Sequence, residues 1–361
     1  KSYLNQDALL VALRVSGADA VHPGYGFLAE NARFAEAVER MDRIWIGPRP
    51  ETIEAMGDKE RARKIAQSAG IPVVPGSARF SSGDTAGLAA AGEEVGYPLL
   101  VKSAAGGGGI GMRLVTDPQD LQAQVETTQN LAQRSFGDGT VYLERFIARA
   151  RHIEVQVFGT GDGRGVHYLD RDCSVQRRFQ KIIEEAPAPG LASEIRTALC
   201  AAALALVKHV NYRGAGTVEF IYDRQAETFY FLEMNTRIQV EHAVTEMITA
   251  ADLVAAQIAL AAGDFTLPEQ STILADGHAI ECRLYAERPE KNFLPSPGEL
   301  TRFDFPDESA VLRIDTGLRQ GDNITPYYDP MIAKVIARGK TRDEAITQML
   351  QALGEIKIEG V

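Results

Sequence analysis

Lys102-Ser103-Ala104-Ala105-Gly106-Gly107-Gly108-Gly109-Ile110-Gly111 carries five glycines in six positions, directly after the apolar run Leu99-Leu100-Val101 and directly before Met112-Arg113-Leu114-Val115. The flanks read as two strands and the glycines as the tip of the hairpin that joins them. Glycine lets successive backbone N–H groups turn into one concavity, a geometry that suits a polyphosphate. No Gly-Lys-Ser/Thr follows, so the stretch is not a P-loop, and a strand rather than a helix comes next, so it is not a dinucleotide fingerprint. Taken alone, the glycines would also serve a plain turn.

Downstream, Glu233-Met234-Asn235-Thr236-Arg237-Ile238-Gln239-Val240-Glu241 alternates polar and apolar residues. Read as extended chain, it puts Glu233, Asn235, Arg237, Gln239 and Glu241 on one face, with Met234, Ile238 and Val240 on the other. Residues 216–223 and 228–235 read as an antiparallel hairpin, which sets Glu219 across from Glu233 and Asn235. Three hard oxygen donors that bridge to phosphates describe magnesium, or manganese in its place. Arg237 and Gln239 can hold a small planar anion, and Glu241 can act as its base. The same alternation would also fit a solvated sheet face.

Of 361 residues 45% are hydrophobic and 24% charged, enough for a large core and two or three structural units. The net charge is −11 and no five or six basic residues run together, which argues against nucleic acid as a partner. No stretch of about 18 apolar residues occurs and the first residues carry no signal-peptide core. A membrane partner is therefore not expected, and the expected compartment is the cytoplasm, or the mitochondrial matrix in a eukaryote. Cys173, Cys200 and Cys282 are unclustered and are expected simply to pack.

Helix and strand alternate over residues 1–72: a helix at 7–16, a strand at 18–21, a helix at 30–41, a strand at 44–46 and one long helix at 51–69 closed by Gly70. Such alternation builds a parallel α/β unit. Residues 73–146 make a small α+β unit around the glycine hairpin. Asp117 and Pro118 there open a helix to about Gln133, and a strand follows at 141–143. Residues 147–361 are rich in antiparallel strands, with helices at 193–209 and 245–262 and a last helix opened by Thr341, Asp343 and Glu344.

A glycine flap together with a Glu/Glu-x-Asn hairpin resembles the ATP-grasp superfamily. Phrases along the whole chain narrow the resemblance to biotin carboxylase: His22-Pro23-Gly24-Tyr25-Gly26-Phe27-Leu28, Met56-Gly57-Asp58-Lys59, Arg151-His152-Ile153-Glu154-Val155-Gln156, Arg171-Asp172-Cys173-Ser174, Glu184-Glu185-Ala186-Pro187-Ala188-Pro189, residues 233–242, and Phe293-Leu294-Pro295-Ser296-Pro297-Gly298. The resemblance implies an ATP-grasp fold of α/β and α+β class. Its parts are a partial N-terminal parallel α/β unit at 1–72, a small lid with the glycine flap at 73–146, and a C-terminal antiparallel-sheet domain at 147–361.

It further implies that Lys59, Lys102 and the flap glycines Gly106, Gly107, Gly108, Gly109 and Gly111 contact ATP phosphates. Glu144 and the backbone at Arg145 and Ile147 would hold the adenine, with Leu232 also at the nucleotide, while His152 and Gln176 line the ribose and phosphate region. Glu219, Glu233 and Asn235 are then the metal ligands. Lys181, Arg237, Gln239, the backbone of Val240 and Glu241 form the bicarbonate pocket. Lys181, Arg237, Glu241 and Arg283 are the implied catalytic groups, Glu241 as base and Arg283 as stabiliser of the biotin enolate. Phe179 stands where the family pattern has His, Ala243 where it has Pro and Arg288 where it has Asp; none of these is an implied catalytic group.

The implied reaction is ATP-dependent carboxylation of biotin by bicarbonate through carboxyphosphate, giving carboxybiotin, ADP and phosphate. None of the seven Met residues is followed by Lys, so the usual Met-Lys biotinylation pair is absent and the biotin is expected on a carrier protein or another domain. A carboxyltransferase and a homodimer or larger carboxylase complex are the other implied partners. Arg313-Ile314-Asp315-Thr316-Gly317 and Pro326-Tyr327-Tyr328-Asp329-Pro330-Met331 lean toward acyl-CoA carboxylases. Two other readings stand beside this one: a ligase of carbamoyl phosphate synthetase type, which also phosphorylates bicarbonate but uses ammonia, and a nucleotide-binding scaffold without turnover. The family pattern starts before Lys1 and continues past Val361, so the first sheet is expected to be incomplete.

Overall fold

A computed structural model describes residues 3–104, 111–178 and 180–361. The chain divides into two units, one made of Lys1–Ile71, His152–Phe220 and Glu233–Val361, the other of Pro72–Arg151 and Ile221–Leu232.

In the larger unit the N-terminal segment is the expected parallel α/β element. Ala20–Val21 pairs in parallel with Ile44–Trp45, and Leu13, Phe34, Val38, Trp45 and Ile53 close a core between strands and helices. The single helix expected over residues 51–69 is two, Pro50–Gly57 and Lys59–Ser68. Asp58 between them leaves helical geometry, and its side chain accepts the Arg61 N–H at 2.7 Å, which caps the second helix. That break places Lys59 at the first position of a helix rather than inside one.

An eight-stranded sheet runs in the order Thr228–Asn235, Arg213–Asp223, Ala150–Thr160, Gly165–Arg177, Gln180–Ala186, His278–Tyr285, Met331–Gly339 and Leu312–Asp315. Strand period two gives His278–Tyr285 two different faces. On one, Ile280 and Cys282 join Val335 and Ala337 against Ala345, Met349 and Ala352 of the helix Arg342–Glu355. On the other, Ala279, Ala186 and Ile336 pack against Ala243, Val244 and Ile248 of the helix His242–Thr249. The same alternation puts Glu184, Glu281, Arg283 and Lys334 on that second face, next to the alanines.

The helix expected over 245–262 is also two, His242–Thr249 and Leu253–Ala262. Ala250 takes a left-handed conformation at φ 56°, and the Asp252 side chain accepts the Ala255 N–H at 2.7 Å to start afresh. Among the described residues no single helix is long and apolar enough to cross a membrane, and these two meet at 90°.

In the smaller unit Leu99–Ser103 lies between Met112–Val115 and Val141–Arg145, antiparallel to both, as the glycine hairpin predicts. Leu99, Val101, Val141 and Leu143 turn inward with Phe80, Leu88 and Val125. Alternation then leaves Lys102 and Glu144 on the opposite face, where they form an ion pair. The hairpin closes through the Ser103 N–H to the Gly111 carbonyl at 3.0 Å. Gly111 sits at φ +84°, where a Cβ would lie 3.0 Å from that of Ser103, so this position requires glycine. Gly106, Gly107, Gly108 and Gly109, and likewise Phe179, fall outside the described residues. Asp117 opens a short 3-10 turn, Pro118–Asp120, before the helix Leu121–Phe136.

Candidate functional site

The run expected to stay extended from Glu233 to Glu241 is a strand only as far as Asn235. The Thr236 N–H donates to Glu30 Oε1 at 3.0 Å and Arg237 Nε to Glu30 Oε2 at 2.9 Å, so the chain turns at this carboxylate and runs to Glu241 at the head of the helix His242–Thr249. The five polar side chains therefore converge by a bend and not by strand alternation alone.

Glu219 is the hub on one side. Its Oε1 accepts from Asn235 Nδ2 at 2.9 Å, Gln239 Nε2 at 2.7 Å and Lys181 Nζ at 3.0 Å. His152 Nε2 lies 2.9 Å from its other oxygen, a close ion pair that is not aligned as a hydrogen bond. Burial would push the Glu219 carboxyl up, but Lys181 and His152 hold it down at about 2. His152 shows the mirror effect: burial pulls it down, while Glu154 and Glu219 carry it up to about 9. Glu233, on the same strand face as Asn235, is pushed up by burial and then by Glu219, with Lys59 3.6 Å away opposing. Two crowded carboxylates with an amide oxygen form an all-oxygen donor set. That fits a hard divalent cation, magnesium or manganese.

Lys181 links this side to the next. Its Nζ reaches Glu154 Oε2 at 2.7 Å and Glu241 Oε1 at 2.5 Å as well as Glu219, and these carboxylates hold it charged despite burial. Glu241 is 2% exposed, and its second oxygen accepts from Arg283 Nη2 at 3.1 Å. Arg237 Nη2 donates to Asn235 Oδ1 at 2.8 Å, and the Val240 carbonyl accepts from Lys334 Nζ at 2.6 Å.

Sequence reasoning missed the layer beneath. Arg171 is wholly buried with its nitrogens on Glu154 Oε1 (2.6 Å), Gln156 Oε1 (2.7 Å), Thr245 Oγ1 (2.9 Å), Thr217 Oγ1 (3.2 Å) and Gln239 Oε1 (2.9 Å). By taking the Gln239 carbonyl oxygen it leaves that amide's nitrogen for Glu219. Glu154, Gln156 and His152 share one face of a strand whose Ile153, Val155 and Val157 are apolar, and buried polar residues at that period were the available signal. Arg171→Met leaves those acceptors unpaired and is expected to destabilise the protein by about 3–5 kcal/mol, read from the urea unfolding midpoint.

Some predicted residues lie apart from this network. Gln176 Nε2 donates to the Cys173 carbonyl at 2.8 Å. Lys102, Glu144, Arg145, Ile147 and Leu232 belong to the smaller unit, where Arg145 Nε donates to the Val95 carbonyl at 2.8 Å, Ile147 is buried and Leu232 is exposed. A cavity of 510 Å³ in the larger unit, lined by Tyr25, Asp315, Tyr328, Asp329 and Lys334 among others, was not foreseen.

A glycine hairpin in one unit and, in the other, a carboxylate set for a divalent cation beside buried Lys181 define an ATP-grasp ligase. Residues 1–53 match the family model described as biotin carboxylase, N-terminal domain, residues 58–270 the carbamoyl-phosphate synthase L chain ATP binding domain, and residues 281–361 the biotin carboxylase C-terminal domain. Biotin carboxylase 1 of Bacillus subtilis (strain 168) is 48% identical over 360 residues, spanning 100% of this chain and 80% of its own. The mitochondrial methylcrotonoyl-CoA carboxylase subunit alpha of Glycine max is 46% identical over 360 residues, 100% of this chain and 49% of that one. The biotin carboxylase domain dimer of Hydrogenobacter thermophilus 2-oxoglutarate carboxylase, solved with MgADP, ADP and bicarbonate, superposes with a TM-score of 0.90 at 43% identity over 99% of this chain and 79% of that one. The chain belongs to the biotin carboxylase family: it is an ATP-dependent ligase that carboxylates biotin.

Proposed function

We propose that the residues joined through Lys181 carry both halves of this reaction, phosphorylation of bicarbonate by ATP and carboxylation of biotin brought by a carrier protein or domain. The observation that supports it is the row Glu219–Lys181–Glu241–Arg283, in which each charged group touches the next. A cation held by Glu219, Glu233 and Asn235 would neutralise phosphate charge during attack on the γ-phosphoryl group. Lys59 binds phosphate from the larger unit, and Lys102 and Glu144 are nucleotide-binding groups of the smaller one. Lys181, Arg237, Gln239 and the Val240 backbone hold bicarbonate, and Glu241 takes its proton. Carboxyphosphate then yields CO2 and phosphate, the phosphate removes the biotin N1′ proton, and Arg283 stabilises the oxygen charge that develops.

The reading is tested by transfer of label from bicarbonate to free biotin, with ADP release measured alongside. ATP- and magnesium-dependent labelling is expected; ADP release driven by ammonia and not by biotin, or no turnover at all, would overturn it. Glu233→Gln removes one anionic oxygen and is expected to raise the magnesium concentration for half-maximal turnover about tenfold or more, the equivalent of about 1.4 kcal/mol. An unchanged magnesium titration would remove Glu233 from the metal set.

A further inference from the structure

We propose that Glu184 and Glu281 act as one buried carboxylic-acid pair holding a single shared proton, and that this pair positions the guanidinium of Arg283 for the biotin half-reaction. The inference rests on the role proposed above for Arg283.

Sheet register makes the pair. Glu184 and Glu281 are Cα partners on the antiparallel strands Gln180–Ala186 and His278–Tyr285. Residues so opposed hold their Cβ atoms about 4.5–5.5 Å apart, and like charges there repel. Both side chains are fully buried. Glu184 Oε1 accepts from Arg283 Nε at 2.7 Å, but Glu184 Oε2 and both oxygens of Glu281 have no hydrogen-bond partner among the described residues. Lys334 Nζ stands 3.8 Å from Glu281 Oε2, beyond hydrogen-bond reach, and is committed to the Val240 carbonyl at 2.6 Å and Asp315 Oδ2 at 3.1 Å. Three orphaned oxygens on two buried carboxylates are costly, and one proton between them converts an orphan acceptor into a donor.

Charge balance agrees. The groups facing the pair are Lys181 on the Glu184 strand, Cys173 on the preceding strand, Cys282, Arg283 and Tyr285 on the Glu281 strand, Lys334 and Asp315 from the following strands, and Glu241 at the helix head. Arg313 holds Asp315 at 2.7 and 3.0 Å, so Lys181, Arg283 and Lys334 are left facing Glu184, Glu281 and Glu241, and Lys181 is already divided among Glu154, Glu219 and Glu241. Burial, followed by Glu281, pushes Glu184 well up; burial lifts Glu281 to about 7, with Lys334 opposing and Glu241 adding. The two titrate as a unit.

With one proton, the pair presents a single charge to Arg283 Nε and leaves Nη2 free to face Glu241 and the biotin oxygen. Loss of that proton puts a second charge behind Arg283 and draws it back, so the biotin half-reaction falls as pH rises through neutrality.

Infrared spectra of the whole enzyme test this. The parent is expected to show the carbonyl stretch of an un-ionised carboxyl at neutral pH, fading as pH rises and absent in Glu281→Gln, whose amide is a permanent donor. A carboxyl raised above its unfolded value weakens the fold as pH climbs from the unfolded toward the folded value. Glu281→Gln should therefore gain Tm over the parent as pH rises from about 4.5 to about 7. Glu184→Gln removes the charge that anchors Arg283 Nε, loosening the guanidinium, and should lower biotin carboxylation about 10²-fold, as a misplaced catalytic group does, with biotin-independent ADP release falling far less. Glu281→Gln should flatten the pH fall of carboxylation alone. The proposal is overturned if no such band depends on Glu281, or if Glu184→Gln lowers both activities by one factor together with Tm. If Arg283→Ala abolishes both activities while the band persists, the role given to Arg283 is what fails.

Discussion

Glu241→Gln is expected to suppress bicarbonate-dependent ATP cleavage by about 10²–10⁴-fold, with or without biotin, the range a positioned general base contributes. The substitution keeps the shape of a side chain that is 2% exposed and clamped between Lys181 Nζ at 2.5 Å and Arg283 Nη2 at 3.1 Å. It removes the negative charge and the basic oxygen, so bicarbonate keeps its proton and is a poor nucleophile toward the γ-phosphoryl group. Glu154 and Glu219 still hold Lys181, at 2.7 and 3.0 Å, so the pocket has reason to stay folded. ADP release against bicarbonate concentration reads the effect. A loss confined to biotin carboxylation would move Glu241 out of the first half-reaction.

How far such a site can be read from sequence depends on the separation of its parts. Glu233 and Asn235 stand two apart on one strand and Glu219 on the strand before it, so period two and a hairpin turn were enough to bring them together. The glycine hairpin was legible for the same reason, its strands being adjacent in sequence and in space. Arg237, Gln239 and Glu241 were assigned to the right neighbourhood by the wrong geometry. The bend that gathers them is made by Glu30, some 206 residues earlier, which no local pattern announces. Both helix breaks had a signal, since Asp58 and Asp252 are good N-caps, but continuous apolar spacing masked it. Arg171, Glu184 and Glu281 were invisible as a group. Charged residues in strands read as surface positions until the sheet order buries them against one another.

Arg283→Ala is expected to reduce biotin carboxylation by about 10²–10³-fold, the size of one lost oxyanion donor, while sparing the slow biotin-independent ATPase. The split follows from geometry: Arg283 Nη2 touches the far oxygen of Glu241, whereas Lys181 holds the near one, so bicarbonate keeps its main cation when Arg283 is gone. Alanine also strips Glu184 Oε1 of its partner at 2.7 Å, and breaking a buried pair from one side costs about 3–5 kcal/mol. Loss of activity from that variant alone could therefore report a weakened fold. Arg283→Lys separates the two effects, since it keeps a cation near Glu184 but cannot donate from Nε and Nη2 in one plane to two carboxylates. With Tm close to the parent's, Arg283→Lys should still lose most of the carboxylation and retain the ATPase. Equal loss of both activities in a folded Arg283→Lys enzyme would put Arg283 in the bicarbonate step and undo the division of labour between Glu241 and Arg283.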